Sequence, residues 1–281
     1  MLIDKPHTNT HIYNRSSTIK AREIFKGFNW KIFSILLVAG LLGVIAILPL
    51  SLEISLILAK SLELQLSEET PPVAAIVLVG LIQNAIFLAI AISIGLILAP
   101  RLNLKTPILD RYFAPEKRKK IKPQNILFPA LLTGLGMGVL TVTLDRLLFS
   151  SQNIQTVFGA IPLWKRLLGG VFYGGITEEI ICRLFMFAVF VWILGWWWKN
   201  PSGKPSKTAY WVGNAIAALI FACLHLPTIA LLAPLTAEVI VRIVVLNTIA
   251  GIICGYIYCK QGLESAMVTH ASAHFILQLF V

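Results

Sequence analysis

Six polar or ionisable side chains stand inside apolar runs: Glu178, Glu179 and Arg183 in one, His225 in a second, and His270 and His274 in a third. A charge at the centre of a membrane helix costs about 2.5–3.5 kcal/mol or more, so each such residue marks a functional position. Glu179 and Arg183 are four residues apart with the acid first, which puts them on one helix face as a neutralising ion pair. Glu178 is turned away from that face by about 100°. It has no counter-ion on its own helix and can face a cavity, where a carboxylate takes a proton from water as a general base. His270 and His274 share one face by the same four-residue spacing, and His225 joins them only if its helix packs alongside.

Several membrane helices are needed to hold these groups. The 281 residues are 57% hydrophobic and 13% charged, with a mean hydropathy of +0.80. That is more apolar surface than one soluble core buries, so lipid is the expected solvent and partner. The apolar runs reach the roughly 20 residues of a spanning helix without period-2 alternation, which excludes a barrel. The expected fold class is all-α: a polytopic transmembrane helix bundle of about 7–8 spans with a polar cavity between the late helices. Spans are expected at 28–50, from Pro72 to near Pro100, and at 125–148, 165–198, 209–231, 235–258 and 262–281. The stretch 165–198 is too long for one perpendicular helix, so it must tilt, protrude or break in two, and an eighth span would flip the last segments. Residues 28–281 read as a single domain behind a basic tail, 1–27, that holds His7 and His11.

The net charge of +11 is concentrated in that tail and in short loops, so it signals topology and not nucleic acid. The loop 101–124, with Arg101, Lys105, Arg111 and the basic run 117–120, is expected at the cytoplasm, as are the N-terminus, the lysines at 199, 204 and 207, and Lys260. The acidic stretch 51–70 is expected on the other side of a plasma or inner membrane. Trp196, Trp197 and Trp198 have the character of an interfacial belt at a helix end. Gly134, Gly136, Gly138, Gly170 and Gly174 mark places where helix backbones can approach closely. The cysteines at 182, 223, 254 and 259 lie in apolar segments without CxxC spacing and are expected to be reduced packing residues.

EEIICR at 178–183, FACLH at 221–225 and HASAH at 270–274 occur in the order and spacing of the CPBP family, the CAAX proteases and bacteriocin-processing (Abi) enzymes. The chain resembles these intramembrane glutamic endopeptidases, among which is the CAAX-box prenyl endoprotease, over a core at 165–281. The pattern is EExxxR, then FxxxH, then HxxxN or HxxxD. The resemblance implies that Glu178 and His225 activate a water, that Glu179 and Arg183 hold the helix geometry, and that His270 with residue 274 stabilises an oxyanion on a peptide or protein substrate. No cofactor is implied. The departure is His274, where the family has Asn or Asp: a neutral imidazole donates only one hydrogen bond.

That departure also favours a zinc alternative, in which His225, His270, His274 and Glu178 form a three-His, one-carboxylate set, although HExxH is absent. A third reading is a non-catalytic membrane protein, an immunity factor, scaffold or transporter, that uses the cluster as a helix-binding or proton-relay site.

Overall fold

The computed structural model describes residues 28–61, 72–113, 122–149 and 158–280. The basic tail 1–27, the acidic residues Glu63, Glu68 and Glu69 and the basic run 117–120 lie outside the described residues.

Helix α1 (Trp30–Ser61) starts where Asn29 Oδ1 accepts the backbone N–H groups of Lys31 and Ile32 at 3.1 and 3.2 Å. It runs past Pro49, so the loop expected from residue 51 begins only after 61. The reason is local: Leu52, Ile54, Leu56 and Leu58 continue a helix-forming apolar run, and burial of Ile54 offsets the one backbone bond that Pro49 forgoes. Helix α2 (Val73–Leu98) follows and passes into a 3₁₀ turn, Ala99–Leu102. Helix α3 (Pro107–Phe113) is short, and α4 (Gln124–Leu148) is a full-length apolar helix.

Residues 163–194 form one unbroken rod, α5, despite a length that suggested a break. Its winding changes along the way: α-helical over Leu163–Leu168, π-helical over Gly169–Glu178 and Ile180–Phe187, and α-helical again over Ala188–Leu194. Wide π turns are rare and occur mostly at functional sites. Here they enclose the Glu-Glu pair. Beyond Leu194 the chain turns, and Trp196, Trp197 and Trp198 are all exposed at the helix end.

Helix α6 (Lys207–Cys223) is capped by Ser206 Oγ, which accepts from Ala209 N at 3.3 Å. It ends short because Pro227, inside the one-turn helix α7 (Leu226–Ala230), has no N–H to continue the ladder. Helix α8 (Ala237–Gln261) is capped by Thr236. It meets α9 (Leu263–Leu279) at Gly262, whose φ of 101° makes the sharp reversal that an L side chain would strain.

Among the described residues, five segments are long and apolar enough to cross a membrane: Trp30–Lys60, Val73–Leu102, Gln124–Leu148, Lys207–Ala230 and Ala237–Gln261. The molecule is thus an all-α polytopic membrane bundle. Its main core is formed where Leu88 and Ile92 of α2, Leu36 and Val44 of α1, and Ile180, Leu184 and Phe187 of α5 meet. Ile76, Val79, Ile82 and Ile86 of α2 face outward, as hydrocarbon contact requires.

Helix α9 is wedged between two glycine stripes. Gly134 and Gly138 of α4 abut the backbone at Thr269 and Ala273, and Gly170 and Gly174 of α5 abut the ring of His274. Gly136, out of phase with them, meets nothing within 4 Å among the described residues. Close approach of bare backbones is what fixes the depth of α9. The two histidines are delivered by that packing.

Candidate active site

The structure brings Glu178, Glu179, Arg183, His270 and His274 into one cluster and puts His225 on the wall of the cavity that Glu178 and His274 line. Glu179 and Arg183 are fully buried, with Oε2 and Nε 3.3 Å apart. That separation is an ion-pair contact without an aligned N–H···O bond, and both Nη atoms lack an oxygen acceptor among the described residues. The guanidinium instead lies 5.7 Å from the centroid of the Phe221 ring.

The other oxygen of Glu179 is already engaged. Oε1 stands 2.8 Å from Nδ1 of His270, so Glu179 bridges Arg183 of its own helix to a histidine of α9. With Nδ1–H donating to Glu179, the ring presents Nε2 to Glu178, whose Oε2 is 3.9 Å away. A buried carboxylate that orients an imidazole, which in turn faces the reacting position, is the recurring geometry of acid–base sites. This bridge escaped the sequence reading because helix phase pairs residues on one helix and says nothing about which neighbouring helix supplies the next ring.

Glu178 is partly accessible, with 18% of its side chain exposed, and its Oε2 makes no hydrogen bond among the described residues. It lines a cavity of about 700 Å³ together with His225, His274, Tyr173, Asn84 and Thr228. The ring of His274 stacks on that of His270 at 4.9 Å between centroids and 27° between planes. One ligand atom each from Glu178, His270 and His274 fall within 4.8 Å of one another. His225 sits just beyond the end of α6, its Nδ1 2.8 Å from the carbonyl of Phe221, which leaves Nε2 for the cavity. Phe221 separates the His225 and His270 rings, in edge-on contact with both at 4.7 and 5.8 Å.

Gly170 and Gly174 are the floor of this arrangement. A Cβ added at Gly174 would lie 2.8 Å from His274 Nε2 and 3.7 Å from Glu178 Oε2, and one at Gly170 would lie 2.8 Å from His274 Nδ1. Gly174→Ala is therefore expected to displace the ring and to lower turnover by up to about 10²-fold, the scale of a 1 Å misplacement. Kinetics of the purified variant check this, and unchanged turnover would mean that the ring position does not matter.

A further charged pair went unremarked in the sequence. Asp145 of α4 and Arg242 of α8 make a two-bond contact, Nε to Oδ1 and an Nη to Oδ2, each 2.6 Å. The signal was present as opposite charges near the ends of two apolar runs. The pair lines a cavity of about 200 Å³ behind His270 and His274.

A carboxylate on the wall of a cavity with His225 and His274, and with His270 beside it, all within a membrane helix bundle, is the arrangement of one class, the glutamate-type intramembrane peptidase. Residues 160–276, which hold all six residues, match the family model described as type II CAAX prenyl endopeptidase Rce1-like, so this part of the chain is similar to an intramembrane endopeptidase of the CAAX-protease kind. No curated protein and no solved structure matches the chain.

Proposed function

We propose that Glu178 is the general base of this endopeptidase and that His225, His270 and His274 complete its site. The observation that carries the reading is Glu178, which lines the cavity and whose Oε2, without a hydrogen bond among the described residues, lies 3.9 Å from His270 Nε2. Water held between Glu178 and an imidazole attacks the peptide carbonyl. Its oxygen bonds to carbon, Glu178 takes its proton, and that proton passes to the leaving amine as the C–N bond breaks. His270, held by Glu179, and His274 face the position where the oxyanion forms. In this reading Glu179 and Arg183 are positioning residues.

The motifs EEIICR, FACLH and HASAH support reading the chain as a member of the CPBP branch of such enzymes. The chain then reads as a basic tail, 1–27, ahead of a single membrane domain, 28–281, with α5 and α9 as additional spans to give seven, and with the N-terminus and the basic loops on the cytoplasmic side of a plasma or inner membrane. A lipid-modified peptide is one substrate the cavity would admit. The test is a comparison of new peptide termini in membranes containing the wild-type chain or Glu178→Gln. Termini that depend on Glu178 support the reading, and identical sets of termini overturn it.

One observation favours a second reading. Glu178, His270 and His274 converge within 4.8 Å, and His270 is held from behind by a carboxylate, as zinc-ligating histidines are. The two readings part on chelation. The glutamate mechanism predicts full activity after dialysis against a strong chelator and less than stoichiometric zinc by elemental analysis. A zinc enzyme would lose activity and regain it with added metal.

A further inference from the structure

We infer that the active-site cavity opens on the non-cytoplasmic face, so that the enzyme takes peptide segments presented from outside the cytoplasm. The inference rests on the peptidase reading for its substrate, and on two independent features of the fold for its direction.

The first is the position of the cavity along the bundle. Its wall is supplied by the C-terminal half of α1, from Val44 to Ser55, and by the N-terminal half of α2, from Ile76 to Asn84. The N-terminal part of α5 from Arg166, the residues just past α6, and His274 and Gln278 of α9 complete it. These stretches all lie at one end of the antiparallel bundle. The opposite end is tied together by Asn29 Nδ2 to the Phe113 carbonyl, by Tyr210 Oη to the Leu102 carbonyl at 2.5 Å, and by Leu263 N to the Lys105 carbonyl at 3.0 Å. The regular winding of α6 ends at Cys223, and the cavity of about 700 Å³ among the described residues lies towards the first end.

The second feature is charge. The closed end carries Lys31, Arg101, Lys105, Arg111, Lys122, the lysines at 199, 204 and 207, and Lys260 among the described residues. The sequence adds the basic run 117–120 between Phe113 and Lys122, and the tail 1–27 ahead of Asn29. At the cavity end stand Lys60, Arg146, Lys165, Arg166 and Arg242. Three of these are internally satisfied: Lys165 by Glu53 at 2.5 Å, Arg242 by Asp145, and Arg166 by the carbonyls of Ile161 and Gln278, both at 3.1 Å. Excess Lys and Arg near helix ends are retained in the cytoplasm. The closed end therefore faces inward and the hollow faces out.

The substrate that fits is a secreted or membrane-anchored precursor whose scissile bond lies near the outer headgroups. A cytosolic tail would reach Glu178 only through the closed end. The cavity's Ser51, Ser55, Asn84, Thr228 and Gln278 supply water and backbone partners for an extended peptide entering from that side.

The test uses the full chain carrying Cys223→Ala, because Cys223 is an exposed thiol. Ser55→Cys and Thr228→Cys report on the cavity, and Ser202→Cys and Lys204→Cys on the closed end. A membrane-impermeant maleimide added to sealed cells is expected to modify the first pair at least tenfold faster than the second, with the order reversed in inside-out vesicles. The opposite order, or equal rates from both sides, overturns the inference. Two single-span peptide reporters, displaying the same junction on either face, form the second arm. Cleavage of the outward reporter alone supports the inference, and cleavage of the inward one alone overturns it. A labelling pattern as expected, with no cleavage that depends on Glu178, would fall on the peptidase reading and leave the orientation standing.

Discussion

Glu178→Gln is expected to abolish measurable peptide cleavage, lowering turnover by about 10²–10⁴-fold while the folded protein is retained. The substitution keeps the shape of the side chain and removes only its capacity to accept a proton. Little in the fold depends on that capacity. Glu178 is partly accessible, its Oε2 makes no hydrogen bond among the described residues, and the nearby ion pair of Glu179 with Arg183 does not include it. Detergent-purified Glu178→Gln should therefore elute as a single species and unfold within about 0.5 kcal/mol of wild type, as substitutions away from buried networks do. Retained turnover would show that another group takes the proton. His225 and His270, whose Nε2 atoms both remain available, would be the next to test. Loss of activity together with loss of fold would assign the carboxylate a structural role.

The parts of this site that were legible in the sequence are those set by local helix geometry. The spacing of Glu179 and Arg183 placed them together, and the one-residue offset separated Glu178 from them. His270 and His274 do stack on one face. The π winding of α5 changes the turn on which that reasoning rests, yet the pair still meets, because the guanidinium is long enough to follow its partner. Illegible were the features decided between helices. The Glu179–His270 contact requires α9 to sink between glycines of α4 and α5, and no periodicity within one span reports the depth of another. The early stop of α6 was masked by the continuing apolarity of residues 224–231, where Pro227 was the available clue. The extension of α1 past residue 51 was hidden in the same way by Glu53 and Lys60, since charge near a span end is tolerated on a helix as well as in a loop.

Arg183→Ala is expected to be the most destabilising single substitution in the chain. Glu179 and Arg183 are both wholly shielded from solvent, so removing the cation leaves a carboxylate with no water to solvate it. Breaking such a pair costs about 3–5 kcal/mol. Against a typical total of about 5–15 kcal/mol that is a large share, and the expected result is loss of most monodisperse protein on extraction and a marked fall in Tm. The comparison with Glu179→Gln separates charge from contact. The amide keeps an oxygen to accept from His270 Nδ1, but it strands the guanidinium, whose Nη atoms already lack acceptors among the described residues. A similar loss of stability is therefore expected, with the His270 ring still held. Removing both charges with Glu179→Gln and Arg183→Met should recover part of the stability, because no unpaired ion remains. It should not recover turnover, since the ring that faces Glu178 would then be fixed by a neutral partner. Single variants that unfold within about 1 kcal/mol of wild type would show that water reaches the pair and that the π-wound segment is held by its apolar packing alone.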